Sequence, residues 1–389
     1  MQGNFYNKFR RITSSRTYLP EIDGLRFLLI MSIVIFHIAG YLIHKSGIMP
    51  QAGTATYFIY SFFTRLNRAV ILFFMLSGFI VCLPFAQQYL LNGKEISLKR
   101  YYLRRLTRME VPYAVAITGI FLLEAVAKMR PLHVLLPGWL ASLGYVHIII
   151  YHRPSIITGV AYTLEIEIQF YLLAPLLFRL LALPALFRRL VICSAAIVMI
   201  LLQNRYHSPF LSIYNFFQYF LAGIFLADLY VTRATSYFYQ SRWILLVCII
   251  SAAVVLLIPL RAHLLSRFIF LIANAVFFYF ALTNILCRKM LSFRPFTLIG
   301  GMSYSIYLLH YTIIIVCGRY VVGWFATGYN LFNVLLQIVL LIIPVVLCST
   351  VFYYYVERPF MSRKWMDMLL KKNKKVAEIN PVAEIEKGS

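Results

Sequence analysis

Runs of about 20 apolar residues, the length that crosses a bilayer as an α-helix, recur along this sequence from one end to the other. Water is not the solvent of such a chain: of 389 residues 61% are hydrophobic and only 13% charged. Apolar windows fall near residues 25–43, 69–91, 111–128, 160–178, 190–204, 211–230, 243–260, 265–286, 297–318 and 331–356. The expected fold class is all-α, a polytopic transmembrane helical bundle of about ten spans. The stretch 129–159 is apolar in its middle but broken by Pro137, Gly138 and Gly144, and reads as a short interfacial or re-entrant element.

Charge then sets orientation. A formal net charge of +24 would suggest nucleic acid in a soluble protein, but Lys and Arg cluster here in short segments between the apolar runs. An even number of spans puts both termini on one side. That side collects Lys8, Arg10, Arg11 and Arg16, the loop from Lys94 to Arg108, Arg179, Arg188 and Arg189, Arg233 and Arg242, and Arg288, Lys289 and Arg294. The expected side is therefore cytoplasmic, with no nucleic-acid partner and membrane lipids all round. Residues 1–24 read as a basic cytoplasmic segment, 25–360 as one membrane domain, and 361–389 as a charged, disordered cytoplasmic tail. The first run has no cleavage pattern after it and reads as a retained signal anchor. The six cysteines fall in or beside apolar runs without metal-ligand spacing and read as small core residues.

Several polar groups lie where hydrocarbon should be. The first helix opens with Glu21, Asp23 and Arg26, and His37 follows the arginine by eleven positions, close to three turns. Arg26 and His37 thus share a face, roughly 16 Å apart along the axis at 1.5 Å per residue. An ionisable group inside a membrane is a functional candidate by default, and the structural alternative is an Asp23–Arg26 pair with His37 bonded to a neighbouring helix. Arg105 and Arg108, flanked by Arg104, form a fork that suits phosphate oxygens, although positive charge on a cytoplasmic loop needs no ligand. In YTLEIEIQFYLL, Glu165 and Glu167 face different ways, while Glu167 and Tyr171 share one face. A buried carboxylate there calls for either an arginine partner or a substrate. Ser77 and Gly78 in FFMLSGFI read as packing residues, and Ser303, Tyr304, Tyr307 and His310 in SYSIYLLH as a polar structural stripe. No hydrolase elbow, zinc helix or phosphate-binding loop occurs in a suitable context.

In order along the chain these segments resemble acyltransferase family 3 of membrane proteins. EIDGLRFLLIMSIVIFH is similar to the family's opening stretch, with Arg26 and His37 in its Arg-x10-His motif. FFMLSGFIV, YLRRLTR with Arg105 and Arg108, YTLEIEIQFYLLAPLL with Glu167, SYSIYLLH and VERPF continue the resemblance from about residue 18 to 360. Tyr162 stands where the family has tryptophan, Glu165 where a small polar residue is common, and Phe27 where glycine often follows the arginine.

The resemblance implies transfer of an acyl group, most often acetyl, from cytoplasmic acyl-coenzyme A to a hydroxyl of a glycan or related acceptor. Acyl-coenzyme A is then a co-substrate, with no tightly bound cofactor and no metal. His37 would be the general base, or the carrier of the acyl group in a two-step route. Arg26, Arg105 and Arg108 would hold the donor; Asp23, Glu167, Tyr171, Ser77 and His310 would serve the acceptor or the structure. The membrane would be a bacterial cytoplasmic one. A transporter or flippase using buried His, Glu and Arg as its path is the rival that the residues alone allow.

Overall fold

The computed structural model describes residues 9, 11–12, 18–46, 53–233, 241–260, 263–324 and 331–361, so the expected tail lies outside the described residues but for Met361. The chain is helical almost throughout. Helix α1 runs Pro20–Ser46, α2 Ala55–Arg65, α3 Ala69–Leu90 and α4 Leu98–Val126. Then come the short α5 (Leu132–Leu143) and α6 (His147–Tyr151), followed by α7 (Tyr162–Leu177), α8 (Ala185–Arg205), α9 (Ile213–Arg233) and α10 (Arg242–Leu257). The last third holds α11 (Leu264–Thr283), α12 (Ile285–Leu291), α13 (Arg294–Gly301), α14 (Ser303–Trp324) and α15 (Leu331–Phe352).

Each of the ten expected spans has its helix. Seven are long and apolar enough to cross a membrane on those grounds alone, and α7, α9 and α10 make up the ten. Their outward faces are as apolar as their cores: Leu122, Leu186, Phe187, Trp243, Leu347 and Val351 are exposed, as a lipid solvent requires. α5 and α6 are too short to span, as expected, although α5 runs through Pro137 and Gly138 and is ended only at Gly144. They fold back on α4, where Trp139 stacks on Phe121 with ring centroids 5.0 Å apart and Tyr113 donates to the Ser142 carbonyl at 2.9 Å.

Three edges differ from the apolar windows. The span expected at 265–286 stops at Thr283, because the Asn284 side chain accepts from the backbone N–H of Leu286 and Cys287 and starts a new helix. The window at 297–318 is broken at Met302, so that α13 can lay its Gly300 against the backbone of α1. α4 begins at Leu98, well before the window at 111, because its arginine-rich first turns are helical too. Among the cysteines, Cys82, Cys248 and Cys287 are buried as expected, but Cys193 and Cys348 are exposed. A thiol is apolar enough to face lipid, which corrects the reading of all six as core residues.

With no hydrophobic force between helices in lipid, close backbone approach holds the bundle together. α9 lies along α3 through two reciprocal glycines. A Cβ at Gly78 would sit 2.4 Å from the Phe220 carbonyl oxygen, and one at Gly223 2.2 Å from that of Met75. Buried ion pairs add fixed points. Arg188 and Arg189 of α8 bind the fully buried Asp228 of α9 at 2.6 and 2.5 Å, and Arg288 of α12 meets Glu21 of α1 at 3.0 Å. Arg68 caps the end of α10, donating to the carbonyls of Val255 and Ile258 at 2.6 and 2.7 Å. Replacing either Gly78 or Gly223 by leucine is expected to destabilise the protein by about 3 kcal/mol, because backbone rather than side chain must move. Thermal unfolding in detergent checks this, with Gly40→Leu, which has open space around it, expected to match the wild type.

Candidate active site

Helices α1, α3, α4, α7 and α14 line an open cleft with about 1020 Å³ of empty space, its solvent-filled mouth included. One end is cationic. Arg11, Arg26, Arg105 and Arg108 all line it, joined by Ser303, Tyr304 and Glu357. α1 and α4 bring the arginines together because Arg26 lies within two turns of the start of α1, and Arg105 and Arg108 within three turns of the start of α4. Behind them Asp23 acts as a clamp. Its Oδ1 accepts from Arg26 Nη1 at 2.7 Å and from Arg11 Nη1 at 3.0 Å. The expected Asp23–Arg26 pair is thus present, with a second arginine added. Glu357 accepts from the Ser305 backbone N–H at 3.1 Å and from its hydroxyl at 2.5 Å, and Tyr304 donates to the Met109 carbonyl at 2.8 Å.

Past the arginines the walls become apolar: Ile33, Val70, Phe73, Phe74, Leu76, Ile80, Val81 and Leu164. The polar exception is Glu167, half-buried, which accepts from the Ser77 hydroxyl. Tyr171 lies one turn along α7 on the same face, with the Arg105 guanidinium over its ring at 5.1 Å from the centroid. Ser77 therefore faces the cleft, whereas its neighbour Gly78 is the packing residue; adjacent helix positions point about 100° apart. Glu165 points away from Glu167, as their spacing requires, and takes no arginine among the described residues. Its Oε2 accepts the Ile148 backbone N–H of α6 at 2.9 Å.

Thr163 and Tyr307 close the far end. The Tyr307 hydroxyl donates to the Val160 carbonyl, so the Thr163 hydroxyl is the donor in their mutual bond of 2.5 Å. His37 and His310 lie one turn beyond, four residues after Ile33 and three after Tyr307, and neither lines the cleft. Their rings are 5.1 Å apart, and His37 is held edge-on by Phe36 and Tyr311 at 4.8 and 5.3 Å. The neighbouring-helix group nearest the His37 ring in this contact is thus a second histidine, met ring to ring rather than through the hydrogen bond the sequence reading allowed.

Of the residues singled out in the sequence, Arg26, Ser77, Arg105, Arg108, Glu167 and Tyr171 line one space, as do Ser303, Tyr304 and Tyr307 of the stripe read as structural; Asp23 braces it, and the two histidines lie one turn beyond its end. Arg11, Thr163 and Glu357 join them without having been singled out. The signal for Arg11 was its place among basic residues counted only for orientation; that for Glu357 was the VERPF motif. Thr163 carried none.

Comparison with known families matches residues 19–354 to the acyltransferase domain of acyltransferase family 3. The chain belongs to that family. No curated protein and no solved structure matches the sequence. Family membership makes the chain a membrane acyltransferase, and the transporter reading is set aside. Arg11 and Glu357 fall outside the matched span, so two residues lining the cationic end of this acyltransferase come from its flanks.

The cleft's polar access is testable without substrate. With Cys193, Cys317 and Cys348 replaced by serine, Ser303→Cys at the cationic end is expected to react with a charged maleimide at least about 10-fold faster than Ser305→Cys, since thiolate formation is suppressed in a buried site beside the Glu357 carboxylate.

Proposed function

We propose that this acyltransferase takes an acyl group, acetyl first among the candidates, from cytoplasmic acyl-coenzyme A and passes it to a hydroxyl of a cell-surface glycan or related acceptor. One observation carries the reading: a single cleft is lined by four arginines at one end and by apolar side chains along its length, and stops one helical turn short of His37. Guanidinium groups bind phosphate oxygens in bidentate fashion, and coenzyme A carries three phosphate groups. Its pantetheine arm is long, thin and weakly polar, which matches walls built from Ile33, Phe73, Phe74 and Ile80. Arg26 and His37 are roughly 16 Å apart along α1, so an arm extended from the arginines brings a thioester toward the imidazole. The clustering of Lys and Arg at the same ends of the spans supports both termini on the cytoplasmic side, and the family supports a bacterial cytoplasmic membrane.

In this reading His37 takes the proton of the acceptor hydroxyl as its oxygen attacks the thioester carbon. The carbon–oxygen bond forms, the carbon–sulfur bond breaks, and the coenzyme A sulfur leaves with that proton. Acylation of His37 followed by transfer would use the same groups in two steps. Glu167, set between the two ends and held by Ser77, is suited to accept hydrogen bonds from the acceptor.

Thiol release from acetyl-coenzyme A by purified protein in liposomes, with and without surface-glycan extract, tests the proposal. His37→Ala is expected to lower acceptor-stimulated release by about 10²–10⁴-fold. Arg105→Ala and Arg108→Ala are each expected to raise the KM for the donor about 10-fold or more with kcat largely kept, as loss of a charge-assisted hydrogen bond requires. Release that does not depend on His37, or a donor KM indifferent to both arginines, would sink this assignment of roles.

A further inference from the structure

His310 is fully buried on α14, and its environment determines which of its ring nitrogens carries the proton. Its Nδ1 lies 3.0 Å from the Ile306 carbonyl oxygen and 2.8 Å from that of Tyr307. A carbonyl only accepts, so Nδ1 is the donor, and in the neutral ring Nε2 is left with a lone pair. That Nε2 is buried and has no hydrogen-bond partner among the described residues. A buried acceptor without a donor is unfavourable, and the neighbouring imidazole, its centroid 5.1 Å away and its plane inclined by 49°, is His37. At a centroid separation of 5.1 Å, ring nitrogens turned toward each other fall within hydrogen-bond range.

We propose that His310 is a positioning residue for His37: its Nε2 accepts one ring N–H of His37, which fixes the His37 tautomer and leaves the other His37 nitrogen as the base. The inference rests on the role given to His37 above. During transfer the acceptor O–H breaks and its proton goes to the free His37 nitrogen, while the acyl carbon bonds to the acceptor oxygen and parts from sulfur. The coenzyme A sulfur then takes that proton. His310 keeps its own Nδ1 proton throughout, and the retained N–H···N bond stabilises the His37 imidazolium while it exists. Phe36 and Tyr311 cage His37 edge-on, and the ring is held in line by this one polar contact.

Two substitutions separate positioning from packing. His310→Asn keeps an amide donor near the Nδ1 site and removes the ε acceptor, whereas His310→Gln places a carbonyl oxygen near the ε site. In protein with unchanged elution and thermal midpoint, His310→Asn is expected to lower kcat at least about 10-fold with the donor KM unchanged, and His310→Gln to recover much of the loss. A folded His310→Asn protein with wild-type kcat overturns the proposal while leaving the role of His37 intact, and so does an equal loss in both variants. Failure of the wild type to transfer at all would remove the acyl-transfer reading instead. The pairing is then read directly, from nitrogen-15 NMR of histidine-labelled protein in nanodiscs: an N–H···N coupling between His37 and His310, lost in His310→Asn, supports it, and absence of the coupling overturns it.

Discussion

A charge in hydrocarbon must be answered, and Asp23 answers two. Its carboxylate, almost wholly buried, holds Arg11 and Arg26 at once, and the same turn of α1 is where α13 docks: a Cβ on Gly300 would lie 1.7 Å from the Asp23 carbonyl oxygen. Removing one partner of such a cluster leaves an uncompensated charge, at a cost of about 3–5 kcal/mol, so the pairing and the helix docking sustain each other. Because both arginines are tethered, the cationic end of the cleft is already built before anything enters it. A preorganised charge site spends little on ordering when an anion binds.

From that end the polarity falls along the cleft. Four arginines give way to aromatic and aliphatic walls, interrupted by the Ser77–Glu167 contact and closed by Thr163 and Tyr307. The two histidines lie just past this closure, each a turn beyond a lining residue. A gradient of this kind is what an amphipathic donor needs, charged at one end and weakly polar along its arm. For the proposed thioester donor it would also keep bulk water away from the reacting end, where hydrolysis competes with transfer.

Much of this was open to reading in the linear chain. Apolar runs of helical length mark all ten spans, and the break at Gly144 marks a stretch whose two helices are too short to cross. Helical periodicity puts Arg26 and His37 on one face, and likewise Glu167 and Tyr171. Arg11 was not legible as a site residue, since a basic residue before a first span is expected for topology whatever else it does. The inward turn of Ser77 and the outward turn of Cys193 and Cys348 were equally hidden, because serine, glycine and cysteine suit a helix contact, a cavity or lipid alike.

What the amino-acid order determined by itself was the solvent, the class of fold and the family: length and apolarity of each run demand a membrane helix, and motifs in register name the kind of chemistry. Tertiary structure decided which helices meet. Only there do four arginines from three stretches of chain converge on one mouth, and only there do His37 and His310, 273 positions apart in the sequence, meet one turn beyond the cleft's far end. Helix order in a bundle is set by small-residue contacts such as Gly78 with Gly223 and by buried pairs such as Arg188 with Asp228. Those contacts depend on shape complementarity between distant segments, a property that no local pattern of residues encodes.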